Sequence, residues 1–468
     1  MIKLKEKIGF GFGDMASSMF WKLFGSYLMI FYTDVFGLPA AIVGTMFLIT
    51  RIWDSVSDPL MGLIADRTNS KHGKFRPYIL IGAIPFGILG IITFTTPDLD
   101  LKGKIIYAYV TYTLMTTSYT VVNVPYASLL GVMSPVPAQR NTLSTYRMAF
   151  AYIGSFLALL MFMPLVNYFS GSGQSTGAAV NSVAWTKAVA VIAVICVILF
   201  FFTFLLTKER VKPVESKTKP VEDLNDLIKN KPWWILLGAG ISALIFNSIR
   251  DGATVYYFKY FIVEESVRTV SFFGISFVLS GLYLAIGQIA NIAGVIIAAP
   301  LSNNIGKRST YIGTMVIATI FSLIFFWLPK EELALIFIFQ IIISICAGSI
   351  FPILWSMYAD CADYSEYKTG NRATGLIFSS SSMSQKMGWA IGSALTGWLL
   401  AYYGFQANME QSPETIQGIK MFMSFFPAAG TFLSVVFISL YPLGENKMKK
   451  ISSILQHKRE RNMKENLT

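Results

Sequence analysis

The stretch Arg51-Ile-Trp-Asp54-Ser-Val-Ser57-Asp58-Pro59 places three charges inside a segment that otherwise has the apolar composition of a membrane-spanning helix. Asp54 and Asp58 are four residues apart and so share one helix face, with Arg51 one turn before Asp54. A charge at the bilayer centre costs on the order of 2.5–3.5 kcal/mol on insertion scales, and such residues usually face a cavity or a partner. The cluster indicates a cation site, a proton relay or a gate. A purely structural salt bridge is the alternative, but one arginine cannot neutralise two carboxylates.

The composition of the whole chain is that of a membrane protein. Of its 468 residues 54% are hydrophobic, 15% aromatic and 14% charged, and the mean hydropathy is +0.56. Soluble domains carry about 25% charged residues. The three cysteines have no paired spacing and the two histidines lie far apart, so the sequence predicts no disulfide framework, metal site or histidine chemistry in the membrane.

Twelve membrane spans are predicted from the apolar segments, because proline, glycine and charge clusters mark most of the breaks between them. The spans cover residues 9–36, 40–65, 77–96, 104–133, 139–168, 184–207, 233–262, 270–301, 309–328, 331–359, 374–403 and 417–442.

Lysine and arginine are distributed unevenly between the loops. The N-terminus, the loop after span two, the central loop and the C-terminal tail are rich in them, whereas the remaining loops carry few. By the positive-inside rule both termini are cytoplasmic, which requires an even number of spans. This distribution also accounts for the net charge of +12 without a nucleic-acid partner.

The central loop divides the chain into two halves of six spans. Gly73-Lys74-Phe-Arg76 after span two has a weak counterpart in Gly306-Lys307-Arg308 after span eight, which suggests an internal duplication. Two six-helix bundles describe the major facilitator fold, an all-α integral membrane architecture that moves solutes by alternating access. The predicted organisation is an N-terminal bundle (1–207), a cytoplasmic loop (208–232), a C-terminal bundle (233–443) and a basic cytoplasmic tail (444–468).

Other polar residues interrupt the apolar spans. Asp14 in span one fits either a substrate role or a carboxylate near the cytoplasmic helix end. Thr120 and Asn123 lie one turn apart in span four and offer neutral oxygens that suit a small hard cation beside carboxylates. Lys386 in span eleven lies too far from either end to snorkel easily and is expected to face the cavity. The adjacent Arg250-Asp251 in span seven is interpreted as a simple pair and is assigned no role.

Several motifs, spread over nearly the whole chain, resemble the glycoside–pentoside–hexuronide:cation symporters, the branch of the major facilitator superfamily that contains melibiose permease. Together they are highly specific, although each alone is weak. They are Tyr32-Thr-Asp34-Val-Phe-Gly37-Leu, the Arg51–Pro59 stretch, Gly73-Lys74-Phe-Arg76-Pro77, Asn123-Val-Pro125-Tyr126 and Ala359-Asp360-Cys-Ala-Asp363-Tyr364-Ser-Glu366-Tyr-Lys368-Thr-Gly370-Asn-Arg372-Ala-Thr-Gly375. The resemblance implies uptake of a glycoside with Na⁺, H⁺ or Li⁺ across a bacterial inner membrane, by a functional monomer.

The resemblance also implies roles for individual residues. Asp54, Asp58 and Thr120 match the cation ligands of the family, and Ser57 replaces an asparagine ligand with a shorter oxygen. The expected substrate site comprises Ser18, Asp14, Tyr119, Asn123, Tyr126, Arg147, Trp355 and Lys386. The expected gate residues, some of which lie in the superfamily loop signature, are Arg51, Asp66, Arg67, Lys74, Asp360, Asp363 and Arg372.

Three departures from melibiose permease bear on the sugar. Ser18 and Asn123 stand where that protein has aspartates, and Ala127 where it has a tryptophan. A galactoside site of that kind is therefore not expected. Loss of two carboxylates with retention of Arg147 and Lys386 makes the cavity more positive, which permits a hexuronide or another acidic sugar.

The expected function is sugar symport, with Na⁺ favoured because Thr120 and Ser57 add oxygens to the two carboxylates. Proton coupling is the nearest alternative, because repulsion between two acids can raise one pKa. Lysophospholipid transport, known for distant animal relatives, is a further alternative. No serine–histidine constellation, metal cluster or nucleotide loop suggests an enzyme. The expected partners are a sugar, a monovalent cation and the lipid bilayer, with no cofactor beyond the coupling ion.

Overall fold

The computed structural model describes residues 2–68, 70–134, 137–170, 182–210, 228–262, 269–272, 275–369, 374–451 and 453–455. Apolar segments of 18 residues or more form helices throughout these ranges. Nine of the described helices are long and apolar enough to cross a membrane. Every predicted span overlaps a helix in the described residues, so the apolar segments and the break signals of the sequence identify the helices, although not every boundary.

The described residues of the first half form six long helices. Helix α1 (Leu4–Leu23) continues into two π-helical segments, Phe24–Leu28 and Phe31–Val35. The others are α2 (Ala40–Arg67), α3 (Arg76–Thr93), α4 (Leu101–Met133), α5 (Pro137–Ser170) and α6 (Ser182–Leu206). Helices α2 to α5 each continue past an internal proline, which neighbouring helices make tolerable in a membrane.

The second half begins with α7 (Lys231–Tyr256), which also ends in a π-helical segment, Tyr257–Ile262. Its further helices are α8 (Leu279–Ile305), α9 (Lys307–Phe325), α10 (Leu333–Thr369), α11 (Thr374–Tyr402), α12 (Pro413–Met423) and α13 (Phe425–Ser439). Residues 445–451 are helical as well.

The start of span eight differs from the prediction. Strands β1 (Thr269–Phe272) and β2 (Ile275–Val278) pair antiparallel, with Thr269 opposite Val278, and α8 begins only at Leu279. The two strands are rich in β-branched and aromatic residues, which fit a pleated ribbon as well as they fit an apolar helix. Hydropathy alone does not separate these two outcomes.

The chain packs as two compact units. The first comprises Met1–Val214, Arg250–Ile289 and Ser393–Phe422, and the second Glu215–Ile249, Ala290–Gly392 and Met423–Thr468. In the first unit α1 packs against α5 and α6. A Cβ on Gly154 would lie 2.5 Å from the carbonyl oxygen of Met15, so this glycine permits the close contact. In the second unit α9 packs against α10 and α13, around a core that includes Tyr311, Ile350 and Tyr358.

The predicted internal repeat has a matching loop geometry in each unit. Gly73 and Gly306 both have a positive φ, +104° and +91°, a region that favours glycine. The Glu209 carboxylate accepts hydrogen bonds from the backbone N–H groups of Lys74, Phe75 and Arg76, at 2.9, 2.8 and 3.0 Å. In the second unit the Glu445 carboxylate accepts from the N–H of Lys307, at 3.2 Å.

The arginine of each loop reaches the last helix of its half. Arg76 Nη2 donates to the carbonyl of Phe204, at 2.6 Å, and Arg308 Nε donates to the carbonyl of Ile438, at 3.3 Å. The weak sequence repeat thus corresponds to two similar loop anchors. The division into a bundle, loop, bundle and tail stays a prediction.

Candidate functional site

Helix α2 presents two different faces. Ile52, Trp53, Val56 and Leu60 are exposed, which suits contact with lipid, whereas Arg51, Asp54 and Ser57 are buried. The helical spacing places these polar groups on the side opposite the apolar stripe. The charges of the opening stretch therefore face the protein interior, where water-filled space or other polar groups can lower the cost of burying them.

Two of the predicted cation ligands, Asp58 of α2 and Thr120 of α4, come together between these helices. The Thr120 hydroxyl donates to Asp58 Oδ1 at 2.9 Å, so α4 supplies a neutral oxygen beside a carboxylate of α2. Ser57 Oγ donates to the carbonyl of Asp54 at 3.3 Å and therefore bonds its own helix. The participation of all four residues in ion binding stays a prediction.

Arg51 occupies one side of this cluster. Its Nη1 lies 2.7 Å from Asp54 Oδ2, in a buried intrahelical ion pair. The other oxygen, Asp54 Oδ1, is buried and has no hydrogen-bond partner among the described residues. Arg51 compensates this carboxylate through Oδ2 but leaves Oδ1 without a donor, and a carboxylate oxygen left in this way is a ligand type that suits a hard cation.

The same guanidinium connects the cation ligands to the expected substrate site. Arg51 lies over the ring of Trp21, 4.0 Å from its centroid, and Trp21 stacks on Tyr119 with centroids 5.6 Å apart. Sequence reasoning did not assign a role to Trp21. Its position three residues after Ser18, on nearly the same face of α1, is the signal that could have identified it.

Asp14 lies within α1 and pairs with Arg147 of α5, with Oδ2 and Nε 3.1 Å apart. The Arg147 guanidinium also lies 5.5 Å from the centroid of the Tyr126 ring. The Tyr126 hydroxyl donates to the carbonyl of Phe10 at 2.7 Å, and its side chain is fully buried. The positive charge of Arg147, which in the sequence favours an acidic substrate, is thus compensated by Asp14.

The remaining predicted substrate residues are divided between the two units. Ser18 and Asn123 are half-buried on α1 and α4 of the first unit. Trp355 and Lys386 lie on α10 and α11 of the second unit. The Trp355 ring packs edge-on against that of Tyr358, with the ring centroids 6.2 Å apart. Their contact with a substrate stays a prediction.

Two ion pairs in the first unit were not expected from the sequence. Lys22 of α1 pairs with Asp251 of α7, while Arg250 donates to the Tyr283 hydroxyl at 2.6 Å. The interpretation of Arg250 and Asp251 as a simple mutual pair is therefore wrong. Neighbours in a helix point about 100° apart, so each side chain reaches a different partner.

The second unexpected pair joins Asp34 to Lys259. Lys259 Nζ lies 2.7 Å from Asp34 Oδ2 and 2.7 Å from Asn408 Oδ1, and the Tyr260 hydroxyl donates to the same carboxylate. The Asp34 side chain is fully buried. This cluster ties the end of the α1 segment to the end of the α7 segment, which gives the family motif around Asp34 a structural role.

Apart from Arg51, which lies in the ion cluster, the predicted gate residues that the structure describes lie toward the ends of α2 and α10 and in the loop after α2. Arg67 is exposed at the end of α2, and Lys74 belongs to the loop anchored by Glu209. Asp360 pairs with Lys307 Nζ at 2.8 Å, three residues before Asp363 on α10. The side chain of Asp66 and the whole of Arg372 lie outside the described residues. A gating role for this set stays a prediction.

Comparisons with known proteins agree over almost the entire chain. The family described as MFS/sugar transport protein matches residues 9–445. The inner membrane symporter YicJ of Escherichia coli (strain K12) is 37% identical over 442 residues, 94% of this chain and 92% of that protein. The isoprimeverose transporter of Lactiplantibacillus pentosus is 34% identical over 465 residues, 99% of this chain and 93% of that protein.

A solved structure of similar fold is that of a D-xylose–proton symporter, with a TM-score of 0.63 at 12% identity, covering 94% of this chain and 98% of that one. The predicted major facilitator fold is confirmed, and the family consists of transporters rather than enzymes. The chain belongs to the MFS/sugar transport protein family, within the glycoside–pentoside–hexuronide:cation symporters of the major facilitator superfamily.

Proposed function

We propose that this protein imports an uncharged glycoside together with Na⁺, as a monomer in the bacterial inner membrane with both termini in the cytoplasm. The observation that carries the ion coupling is the charge balance around α2. Arg51 contributes one positive charge, and Asp54 and Asp58 contribute two negative charges. These three side chains therefore carry a formal charge of −1 in sum, which one bound monovalent cation would balance.

The ligands suit a hard cation. Thr120 and the two carboxylates supply oxygen atoms only, and Asp54 Oδ1 has no donor among the described residues. Na⁺ binding at these oxygens would reduce the repulsion between the carboxylates and draw α2 toward α4. Proton coupling is the competing function, because protonation of one carboxylate removes the same charge.

Arg51 couples the ion site to the sugar site. Its guanidinium contacts both Asp54 and the Trp21 ring, which in turn stacks on Tyr119. A cation bound at Asp54 weakens the ion pair between Asp54 and Arg51. The Arg51 guanidinium then shifts, and the rings of Trp21 and Tyr119 shift with it. By linkage, each ligand then raises the affinity of the carrier for the other, typically by about 1–3 kcal/mol of binding free energy. The carrier that holds both ligands reorients between its outward-open and inward-open states.

The preference for an uncharged sugar follows from the ion pairs of the first unit. Arg147 is compensated by Asp14, and Lys22 is compensated by Asp251. Each pair is electrically neutral, so neither leaves an excess of positive charge that would attract an acidic sugar. The name of the isoprimeverose transporter, a relative of 34% identity, makes this neutral disaccharide the first compound to test.

Uptake into proteoliposomes tests the function. Radiolabelled isoprimeverose, a xyloside and a glucuronide are each supplied with an inward Na⁺ gradient at constant pH, or with a pH gradient in Na⁺-free buffer. Concentrative uptake of a neutral glycoside driven by Na⁺ is expected. Uptake driven by the pH gradient alone would assign proton coupling, and selective uptake of the glucuronide would assign a hexuronide substrate.

A further inference from the structure

The ion pair between Lys22 and Asp251 joins α1 to α7 inside the first unit. The proposed ion coupling through Asp54, Asp58 and Arg51 does not involve this pair. The pair is partly buried, and an ion pair in such a place is by itself weak evidence for stability, so its presence calls for a role.

Lys22 shares one face of α1 with two expected substrate residues. Asp14, Ser18 and Lys22 follow each other at intervals of four residues and span about 12 Å of the helix axis. Asp14 is bonded to Arg147 at one end of this stripe, and Lys22 is bonded to Asp251 at the other. The stripe thus has an ion pair at each end and a hydroxyl group between them.

The pairs at the ends of the stripe retain accessible surface. The side chains of Lys22 and Asp251 are 13% and 16% exposed, and those of Arg147 and Asp14 are 29% and 12% exposed. The Arg51–Asp54 pair is more completely enclosed, at 7% and 3%. A pair that only holds helices together has no need of accessible surface, whereas a pair that contacts a solute must present some of it.

The backbone around Lys22 departs from regular helix. Helix α1 changes to π-helix at Phe24, two residues after Lys22, and such segments occur often at functional sites. Close by, a Cβ on Gly252 would lie 3.9 Å from the carbonyl oxygen of Gly25, an ordinary van der Waals distance, so α7 lies beside the π-helical segment that follows Lys22.

We propose that Lys22 and Asp251 contact the substrate and determine specificity, as the second hydrogen-bonding end of the sugar site. This rests on the proposed glycoside transport. The Lys22 ammonium donates to one sugar hydroxyl, and Asp251 accepts from its neighbour on the same ring. A disaccharide places its other ring toward Asp14 and Arg147. The zero net charge of each pair selects uncharged rings.

The test measures KM and substrate discrimination in proteoliposomes that hold the full chain. The probes are isoprimeverose and its deoxy derivatives, each lacking one hydroxyl. The variants are Lys22→Met, Lys22→Arg, Asp251→Asn and the charge-swapped Lys22→Asp/Asp251→Lys. Thermal unfolding in detergent reports the structural contribution of the pair. Tyr283→Phe, which removes a hydrogen bond from the neighbouring Arg250, is the control for a local packing change.

The single variants are expected to raise KM about tenfold or more, because a hydrogen bond to a charged group is lost. They should also lose discrimination against one deoxy derivative, which Tyr283→Phe should retain. The charge-swapped variant restores the ion pair and the unfolding temperature, but it interchanges donor and acceptor and should keep the raised KM. Lys22→Arg keeps the ion pair and, like the other single variants, should raise KM. This variant tests the substrate contact if Lys22→Met does not fold.

A wild-type KM and wild-type discrimination in the charge-swapped variant would make the pair structural and overturn the inference. The inference would also be overturned if every variant discriminated between isoprimeverose and its deoxy derivatives as the wild type does. Failure of the wild-type protein to take up any neutral glycoside is a separate result, which overturns the proposed function and this inference together.

Discussion

The Thr120 hydroxyl donates a hydrogen bond of 2.9 Å to Asp58 Oδ1, and this bond joins α4 to α2 at the proposed ion site. Two residues separated by 62 positions in the sequence thereby become neighbours. The bond connects the carboxylate pattern of α2 to a helix that also carries Tyr119, which stacks on Trp21.

Substitution of Thr120 by valine should weaken Na⁺ binding while leaving the fold intact, because valine has a similar shape but no oxygen. Loss of one ligand of this kind is expected to raise the Na⁺ concentration for half-maximal uptake about tenfold. Sodium titration of glycoside uptake measures this. Thr116→Val is the matched control one turn earlier, since its hydroxyl donates to the Thr113 carbonyl on the same helix. Equal effects of both variants would contradict the assignment.

Removal of Arg51 should destabilise the ion-free protein. In Arg51→Met the buried Asp54 carboxylate loses its ion-pair partner, and loss of one partner of a buried pair typically costs about 3–5 kcal/mol. We expect a lower unfolding temperature without Na⁺ and a larger Na⁺-dependent increase than in the wild type, as measured by thermal unfolding in detergent. The double variant Arg51→Met/Asp54→Leu returns the net charge to −1 and should recover most of the stability. An unchanged response to Na⁺ in the single variant would argue against the charge balance.

Two glycine-to-alanine variants should have opposite effects on stability. Gly73 has a φ of +104°, and a Cβ there would lie 2.5 Å from the Glu209 carboxylate, so Gly73→Ala should destabilise the protein by about 1–3 kcal/mol. Gly131 lies within α4, and no neighbouring group in the described part of the chain comes within 4 Å of the position that an added methyl group would occupy. Gly131→Ala should therefore stabilise the protein by roughly 0.5–1 kcal/mol. Parallel thermal unfolding of both variants checks the signs.

Glu6, which lies before the first predicted span, should contribute pH-dependent stability. Burial opposes its ionisation, but the Lys3 N–H hydrogen bond and the Arg210 guanidinium outweigh burial and lower the pKa of Glu6 below its ordinary value. A group whose pKa is lower in the folded state stabilises the fold above its unfolded pKa, about 4.3, and loses this contribution as the pH falls through the folded value.

The unfolding temperature of Glu6→Gln should therefore lie below that of the wild type at neutral pH. The difference should shrink as the pH is lowered below about 4.3, where the wild-type carboxylate also becomes neutral. A difference that stays constant from neutral to acid pH would show that the carboxylate charge of Glu6 does not contribute.

The long helices and the main polar motifs could be predicted because they depend on local pattern. The two faces of α2 follow from the helical spacing of its apolar and charged residues, and the loop repeat follows from glycine and basic residues at matching places. The hairpin before α8 was missed because β-branched and aromatic residues fit either a strand or an apolar helix. The partner of Asp251 was also missed, since a local pattern favours the adjacent Arg250.

The amino-acid sequence by itself determined that this is a membrane transporter with many apolar helices, that its carboxylates lie on one face of the second span, and to which family it belongs. These properties follow from composition, from spacing along single helices and from motifs. Only the tertiary structure decided which charges compensate each other: Asp14 with Arg147, Lys22 with Asp251, and Asp34 with Lys259. The reason is physical, because these pairs join segments more than a hundred residues apart, and the strength of an ion pair depends on distance in space, which spacing within one helix does not determine.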